Sequence, residues 1–387
     1  MKLIYTLALL FAPLYMKAQV NALRINPNIN LLKDSIESKT LVTTINHFLM
    51  AAQSDNKDNQ YVHGKHKIET YILLDEIAGI EKSGKYKDAH FYKPYLTNMV
   101  DLKDSTLLIC ISYIGIHDSI ALLRASFQFL AHKKNNNFVF SSLLLKNTKG
   151  WKTKKVGNSI FHYQNLLNEK TVKAFNTNAA KFDKKLNSEN KITEFYCCNT
   201  ILEIQNLIGV SYKSDYNGVT QSVWSTTLEN HKLILLGNNN ANFNTNDPHD
   251  LWHSRLSLVT SRRKVNKPVD EGCAYLYGGS WGLSWETIFK AFKEQIAVDK
   301  NTNWLALKET PMYFKTNGYE NSADDIVNAL LVKKIEKEKG FAGVWELLNA
   351  GPVEKGNEKY FQILEKLTGI TKANYNEKIW ELINNEK

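Results

Sequence analysis

Apolar and polar positions alternate between residues 124 and 132, where Ala125, Phe127, Phe129 and Ala131 interleave with Arg124, Ser126, Gln128 and His132. A period of two predicts a half-buried strand, because successive side chains leave opposite faces of the pleat. Turns at residues 133–137 and 147–150 lead to further strands over 138–145 and 151–156, so the stretch predicts an antiparallel meander, with a helix ahead of it around 43–52. Residues 158–190 are polar and helical in tendency, and they read as a connector. The pattern then restarts with a strand at 192–196. A helix follows, opened by Thr200 and Glu203 at capping-box spacing and closed by Gly209. Asn217-Gly218 reads as a hairpin turn, and 233–236 as another strand. Asp247-Pro248 is a good N-cap and first-turn pair for a helix through residue 253, and 269–277 is a short helical segment. Helices are predicted over 322–339, 341–348, 358–368 and 371–383, with stops at Gly340 and Gly351.

These elements divide the chain into a leader at 1–19, an α+β accessory domain at 20–157, a helical connector at 158–190 and a second α+β domain at 191–387. The leader rests on Lys2, the apolar run from Leu3 to Tyr15 and the polar exit Lys17-Ala18-Gln19, the layout of a cleaved secretory signal. The expectation is a secreted or periplasmic chain with no transmembrane segment. With helices in front of it, the N-terminal curved antiparallel sheet resembles the nuclear transport factor 2-like class.

Charge changes this picture little. The formal net charge is +10, but the positive residues are nearly all Lys, scattered rather than clustered beside aromatic platforms, and nucleic acid is not expected as a partner. Four Cys in 387 residues do not make a disulfide-stapled scaffold.

The chemistry concentrates at His249-Asp250-Leu251-Trp252-His253 and Asp270-Glu271-Gly272. A pair of His four apart is weak by itself, since roughly one chain in four of this composition carries one by chance. Here both fall on one predicted helix, where residues four apart share a face, and Trp252, Leu256 and Val259 supply an apolar side to bury it. Such a pair suits two imidazole nitrogens on one Zn2+, with Glu271 as a third, oxygen ligand.

The two triplets resemble those of the gluzincin zinc peptidases, the thermolysin and aminopeptidase branch, over about residues 190–387. That resemblance implies a zincin-like fold with a sheet before the motif helix and a helical C-terminal array. It also implies water-mediated hydrolysis of a peptide or protein substrate, with His249, His253 and Glu271 as zinc ligands and Asp270 either capping its helix or supporting a ligand His. The family places Glu after the first His as general base, whereas this chain has Asp250, one methylene shorter. Asp250 is therefore expected either as a weakened general base or as a carboxylate serving the helix N-terminus. The alternative function is a non-catalytic protein of the same fold, acting as a cell-envelope binding or structural component. A third is an exported ligand-binding module centred on the N-terminal domain.

Other residues take ordinary readings. Arg255, Arg262 and Arg263 read as solvated, with a substrate clamp as the other possibility. Tyr275, Tyr277, Tyr313 and Tyr319 are candidate oxyanion donors, and the Gly- and aromatic-rich stretch from Tyr275 to Trp285 is expected to pack in the core, with a substrate-facing wall as the other possibility. His63 and His66 read as surface residues, and Cys273 as pointing away from the metal side of its helix.

Overall fold

The computed structural model describes residues 23–386, so the leader lies outside the described residues. The chain forms two compact units: one of residues 23–149 with Leu202–Val219, the other of Gly150–Ile201 with residues 220–386. Both mix open sheets with helices, as expected of an α+β protein.

The first unit starts with β1 (Arg24–Ile25), α1 (Ser35–Ala51) and α2 (Lys67–Ile77). It continues through β2 (Lys93–Asp101), β3 (Thr106–His117), β4 (Ile120–Lys134), β5 (Asn137–Ser141) and the short α3 (Leu144–Asn147). The sheet runs β1-β2-β3-β4-β5, antiparallel except for the β1/β2 pair, with bulges at Leu96/Asn98 and Tyr113/Ile114. Helix α1 begins eight residues earlier than the pattern predicts because Asp34 caps it, accepting from the Glu37 N–H at 2.8 Å. Its Phe48 packs on Phe129 and Phe140, with centroids at 5.1 and 4.8 Å, and this aromatic triad centres the core. Helix α2 shows no stripe in the sequence because Ile68, Tyr71, Ile72, Leu73, Leu74 and Ile77 are buried almost all round it.

The second unit opens with β6 (Lys152–Val156), β7 (Ser159–Tyr163), α4 (Glu169–Leu186) and β8 (Ile192–Cys198). This corrects two expectations. The strand at 151–156 does not extend the first meander but pairs antiparallel with β7. Residues 158–190 are not a connector: β7 is an inner strand, and α4 buries Val172, Phe175, Ala179, Phe182 and Leu186, a helical stripe hidden within an overall polar composition.

The chain then leaves this unit. Helix α5 (Ile201–Ile208) and β9 (Val210–Lys213) return to the first sheet, where β9 pairs with β4. Gly209, between them, has φ +99°, and a Cβ there would stand 2.0 Å from the Gln128 carbonyl oxygen, so glycine is required twice over. Gly218 does make a turn at φ +76°. It is not a hairpin turn, however, because β9 and the next strand, β10 (Ser222–Leu228), enter different sheets.

Strand β11 (His231–Gly237) completes the second sheet, ordered β10-β11-β8-β7-β6, with β7, β8 and β11 parallel and β10 antiparallel at the edge. One face carries Phe161, Phe195, Ile234 and Leu236 into the core. On that core lie α6 (Pro248–Leu256) and α7 (Lys267–Gly278). Then come α8 (Trp285–Gln295), the hairpin β12 (Tyr313–Thr316) and β13 (Tyr319–Ser322), α9 (Ala323–Leu348), α10 (Glu358–Thr368) and α11 (Tyr375–Asn385). Helix α9 breaks at Gly340, φ +70°, where the two predicted helices meet. No helix among the described residues is long and apolar enough to cross a membrane.

Candidate metal centre

Helix α6 starts where Asp247 accepts from the His249 N–H at 2.9 Å and Pro248 fills the first turn. Its apolar side, Leu251, Trp252 and Leu256, is buried, which orients His249 and His253 toward α7. Two glycines set the helices close together. A Cβ on Gly278 would lie 2.5 Å from the Pro248 carbonyl carbon, so this glycine brings α7 against the start of α6. A Cβ on Gly272 would lie 2.7 Å from the Ala329 nitrogen, so Gly272 seats α7 on α9.

The result is a triangle. His249 Nε2, His253 Nε2 and Glu271 Oε2 stand 3.2 Å from one another on all three sides, and these three residues form a group that could hold a metal ion. A tetrahedral ion with bonds of about 2.0–2.1 Å separates neighbouring donors by roughly 3.3 Å, so the spacing fits.

The hydrogen bonds behind the triangle decide where the protons sit. His249 Nδ1 lies 2.9 Å from the Gly279 carbonyl oxygen, which can only accept, so Nδ1 donates there and, in the neutral imidazole, Nε2 faces the triangle as an acceptor. His253 Nδ1 is likewise 2.9 Å from Asp270 Oδ1. Asp270, 1% exposed, also accepts from Trp252 Nε1 at 3.1 Å and from Arg262 Nε at 2.9 Å. Arg262 Nη2 reaches Glu271 Oε1 at 3.2 Å, which leaves Oε2 to the triangle. With both imidazoles neutral, three lone pairs would converge here, and a cation or a proton on an imidazole relieves their repulsion. Burial disfavours a charge on His253, but its bonds to Asp270 and Glu271 outweigh this and hold it up at about 9. Burial likewise opposes ionisation of Glu271, yet the bonds from His249 and His253 hold its carboxyl below the usual range.

Asp250 points elsewhere. It is exposed, forms no hydrogen bond or ion pair with a described residue, and borders an adjoining pocket of about 530 Å3 whose walls include Phe175, Phe195, Phe243 and Leu251. None of the three triangle residues lines that pocket.

Several ordinary readings need correction. Arg255 is not solvated. At 1% exposed it makes a two-pronged bond to Asp183 on α4, Nε–Oδ1 2.5 Å and Nη2–Oδ2 2.6 Å, and a third bond to Thr193 Oγ1 at 2.7 Å. Arg262 is half-exposed but locks Asp270 and Glu271 together, whereas Arg263 is exposed as expected. Tyr277 gives its hydroxyl to Glu336 at 2.7 Å, and Tyr275 gives its own to Asn321 at 3.2 Å while its ring meets His249 edge-on. Within the stretch expected to be core, Tyr275 and Trp285 are buried but Trp281 is 56% exposed. Cys273 is fully buried, and all four cysteines are free. His63 and His66 are half-buried rather than surface residues, and they pack on His132 with ring centroids 4.8 and 5.8 Å away.

Sequence reasoning also missed Asp325, in the first turn of α9. Burial, then the charges of Asp324 and Glu271, push its carboxyl up to about 8. No spacing signal could have found it, because 54 positions separate it from Glu271 and only the α7/α9 packing brings them near.

No family model, curated protein or solved structure matches this chain.

Proposed function

We propose that His249, His253 and Glu271 bind Zn2+ and that the protein is an exported, zinc-dependent peptidase-like hydrolase acting on a peptide or protein substrate. The observation that carries this reading is the 3.2 Å triangle of two imidazole nitrogens and one carboxylate oxygen, each backed by a fixed partner. Zinc held by two His and one carboxylate supplies Lewis acidity and makes water acidic enough to lose a proton near neutral pH. The chain's own residues do the rest. The Gly279 carbonyl and Asp270 keep both imidazoles in the metal-binding tautomer, and Arg262 holds Glu271 to one free oxygen. Asp250, which borders the adjoining pocket rather than the triangle, would have to take the proton of an attacking water across that separation. Its shorter side chain must work over a longer reach or through a relay water, which weakens it as a base. The resemblance of the two triplets to gluzincin peptidases supports the same assignment.

The Asp in place of Glu also supports a second reading, in which the fold and metal are kept by a non-catalytic cell-envelope binding or structural protein. Elemental analysis of purified protein beside a His249→Ala/His253→Ala variant tests the metal, with about one zinc per chain expected in the first and none in the second. Hydrolysis of a peptide library by the wild type, Asp250→Asn and Asp250→Glu tests the chemistry. The peptidase reading expects turnover in the wild type, loss in Asp250→Asn and a gain in Asp250→Glu. Zinc binding without turnover in any of the three assigns the second reading.

A further inference from the structure

The loop that holds His249 ends in a turn whose sequence is wrong for its geometry. Ser280 and Leu283 exchange two backbone hydrogen bonds, 3.1 and 2.9 Å, around Trp281 and Gly282, whose φ values are +54° and +74°. A two-residue turn with both central residues at positive φ is of the primed kind, where Asn or Gly is the natural first residue. The hairpin between β12 and β13 obeys that rule with Asn317-Gly318, at φ +51° and +86°. A bulky residue at positive φ is strained, and such strain persists where something else holds it. Burial does not hold it here, since the indole is 56% exposed. Instead the Trp281 N–H donates to Asp247 Oδ2 at 3.1 Å, and the indole lies parallel to Tyr319, itself 46% exposed, with centroids 4.9 Å apart and planes at 7°.

This aromatic pair walls a cavity of about 770 Å3, within the range of about 300–1,000 Å3 typical of small-molecule sites. The rest of the lining combines the amides and hydroxyls of asparagines and threonines with Ala174, Pro248 and the Asp247 carboxylate, and Asn178 and Asn246 form no hydrogen bond with a described residue. An aromatic face on one side with neutral, unpaired amides on the other matches a pyranose. One face of the sugar ring presents C–H groups to the electron-rich π surface, and its rim presents hydroxyls that both donate and accept, as amides do. Lys170, at the rim, stands where a sugar carboxylate could meet it.

We propose that the cavity bounded by Trp281, Tyr319, Asn178 and Asn246 is an oligosaccharide-binding subsite beside the metal centre. The Gly279 carbonyl that fixes His249 lies two residues before Trp281, so the two sites share a loop. Resting on the peptidase reading, the substrate class becomes a polypeptide that carries glycan or is joined to polysaccharide. Saccharide binding itself does not depend on that reading.

The test is titration calorimetry and saturation-transfer NMR on the full chain with hexamers of N-acetylglucosamine, β-1,4- and α-1,4-linked glucose, and galacturonic acid, beside an aromatic tripeptide amide. At least one hexamer is expected to bind at millimolar or tighter affinity, weakening 10-fold or more in Trp281→Ala and less in Trp281→Tyr. Trp281→Asn separates binding from folding, because it suits the turn: its melting temperature should equal or exceed the wild type's while saccharide binding is lost. The His249→Ala/His253→Ala variant should bind the same hexamer, so failure of the metal reading leaves this result standing. The proposal is overturned if no hexamer binds, if binding survives in Trp281→Asn, or if the tripeptide alone binds with the same dependence on Trp281.

Discussion

A single oxygen of Asp270, Oδ1, receives His253 Nδ1 at 2.9 Å and Trp252 Nε1 at 3.1 Å, so the residue before the third candidate ligand steers the second one. Asp270→Asn keeps the shape but weakens the acceptor, and its amide can donate where Arg262 already donates. Loss of such a support typically costs 10–100-fold in metal affinity. Chelator competition should therefore show zinc held about 10–100-fold more weakly in Asp270→Asn. Unchanged affinity would show that His253 is positioned by packing alone.

If the triangle is a zinc site, binding couples to folding. Zinc at a hundredfold excess over its dissociation constant should add about 2.7 kcal/mol to unfolding free energy, read as a rise in melting temperature. The rise should be absent in Glu271→Ala.

Arg255 and Asp183 form a buried pair, with side chains 2% and 5% exposed. Arg255→Met removes one charge and strands the other, which costs about 3–5 kcal/mol. Arg255→Met/Asp183→Leu should recover much of that loss, and urea denaturation of both variants and of Asp183→Leu alone would measure it. Additive losses would mean that the two side chains act independently.

Gly272 is expected to tolerate no side chain. A Cβ there would lie 2.7 Å from backbone atoms of both Asn328 and Ala329, which cannot move as a flexible side chain can. Gly272→Ala should cost about 1–3 kcal/mol, as overpacking does, and should weaken zinc binding by shifting Glu271. A melting temperature within error of the wild type would contradict the tight α7/α9 seat.

The histidine cluster of the first unit predicts acid sensitivity. Burial, then the charges of His63 and His66, hold His132 down to about 4, and burial first also lowers His63 and His66. Unfolded, these groups take up protons near 6.5 that the folded protein does not, so their stabilisation is complete above that pH. It is lost as pH falls from about 6.5 toward 4. Melting curves across that window should show a decline that His132→Gln, which can still bond Ser141, makes shallower.

The linear pattern determined much of what is local. The N-cap and proline of α6, the His pair on one face, the break of α9 at Gly340 and the alternation of β4 each follow from neighbours a few residues apart, where backbone geometry dictates side-chain direction. The candidate triangle was legible for the same reason. His249 and His253 share a helix face, and Glu271 follows within one helix–helix connection.

Only the tertiary structure decided which sheet a strand joins and what a charge meets. Strand β6 and the α5/β9 excursion read alike whichever sheet they enter, because a short strand carries no record of its distant partner. Helix α2 left no stripe because it is buried nearly all round. Arg255 reads as solvated until Asp183, 72 positions earlier, closes on it, and Arg262 reads so until α7 brings both carboxylates within reach. Trp281 is the reverse case. Its composition suggests core, and only the backbone angle of its turn and its exposed stack with Tyr319 set it at the surface, because both depend on a loop held between two packed helices.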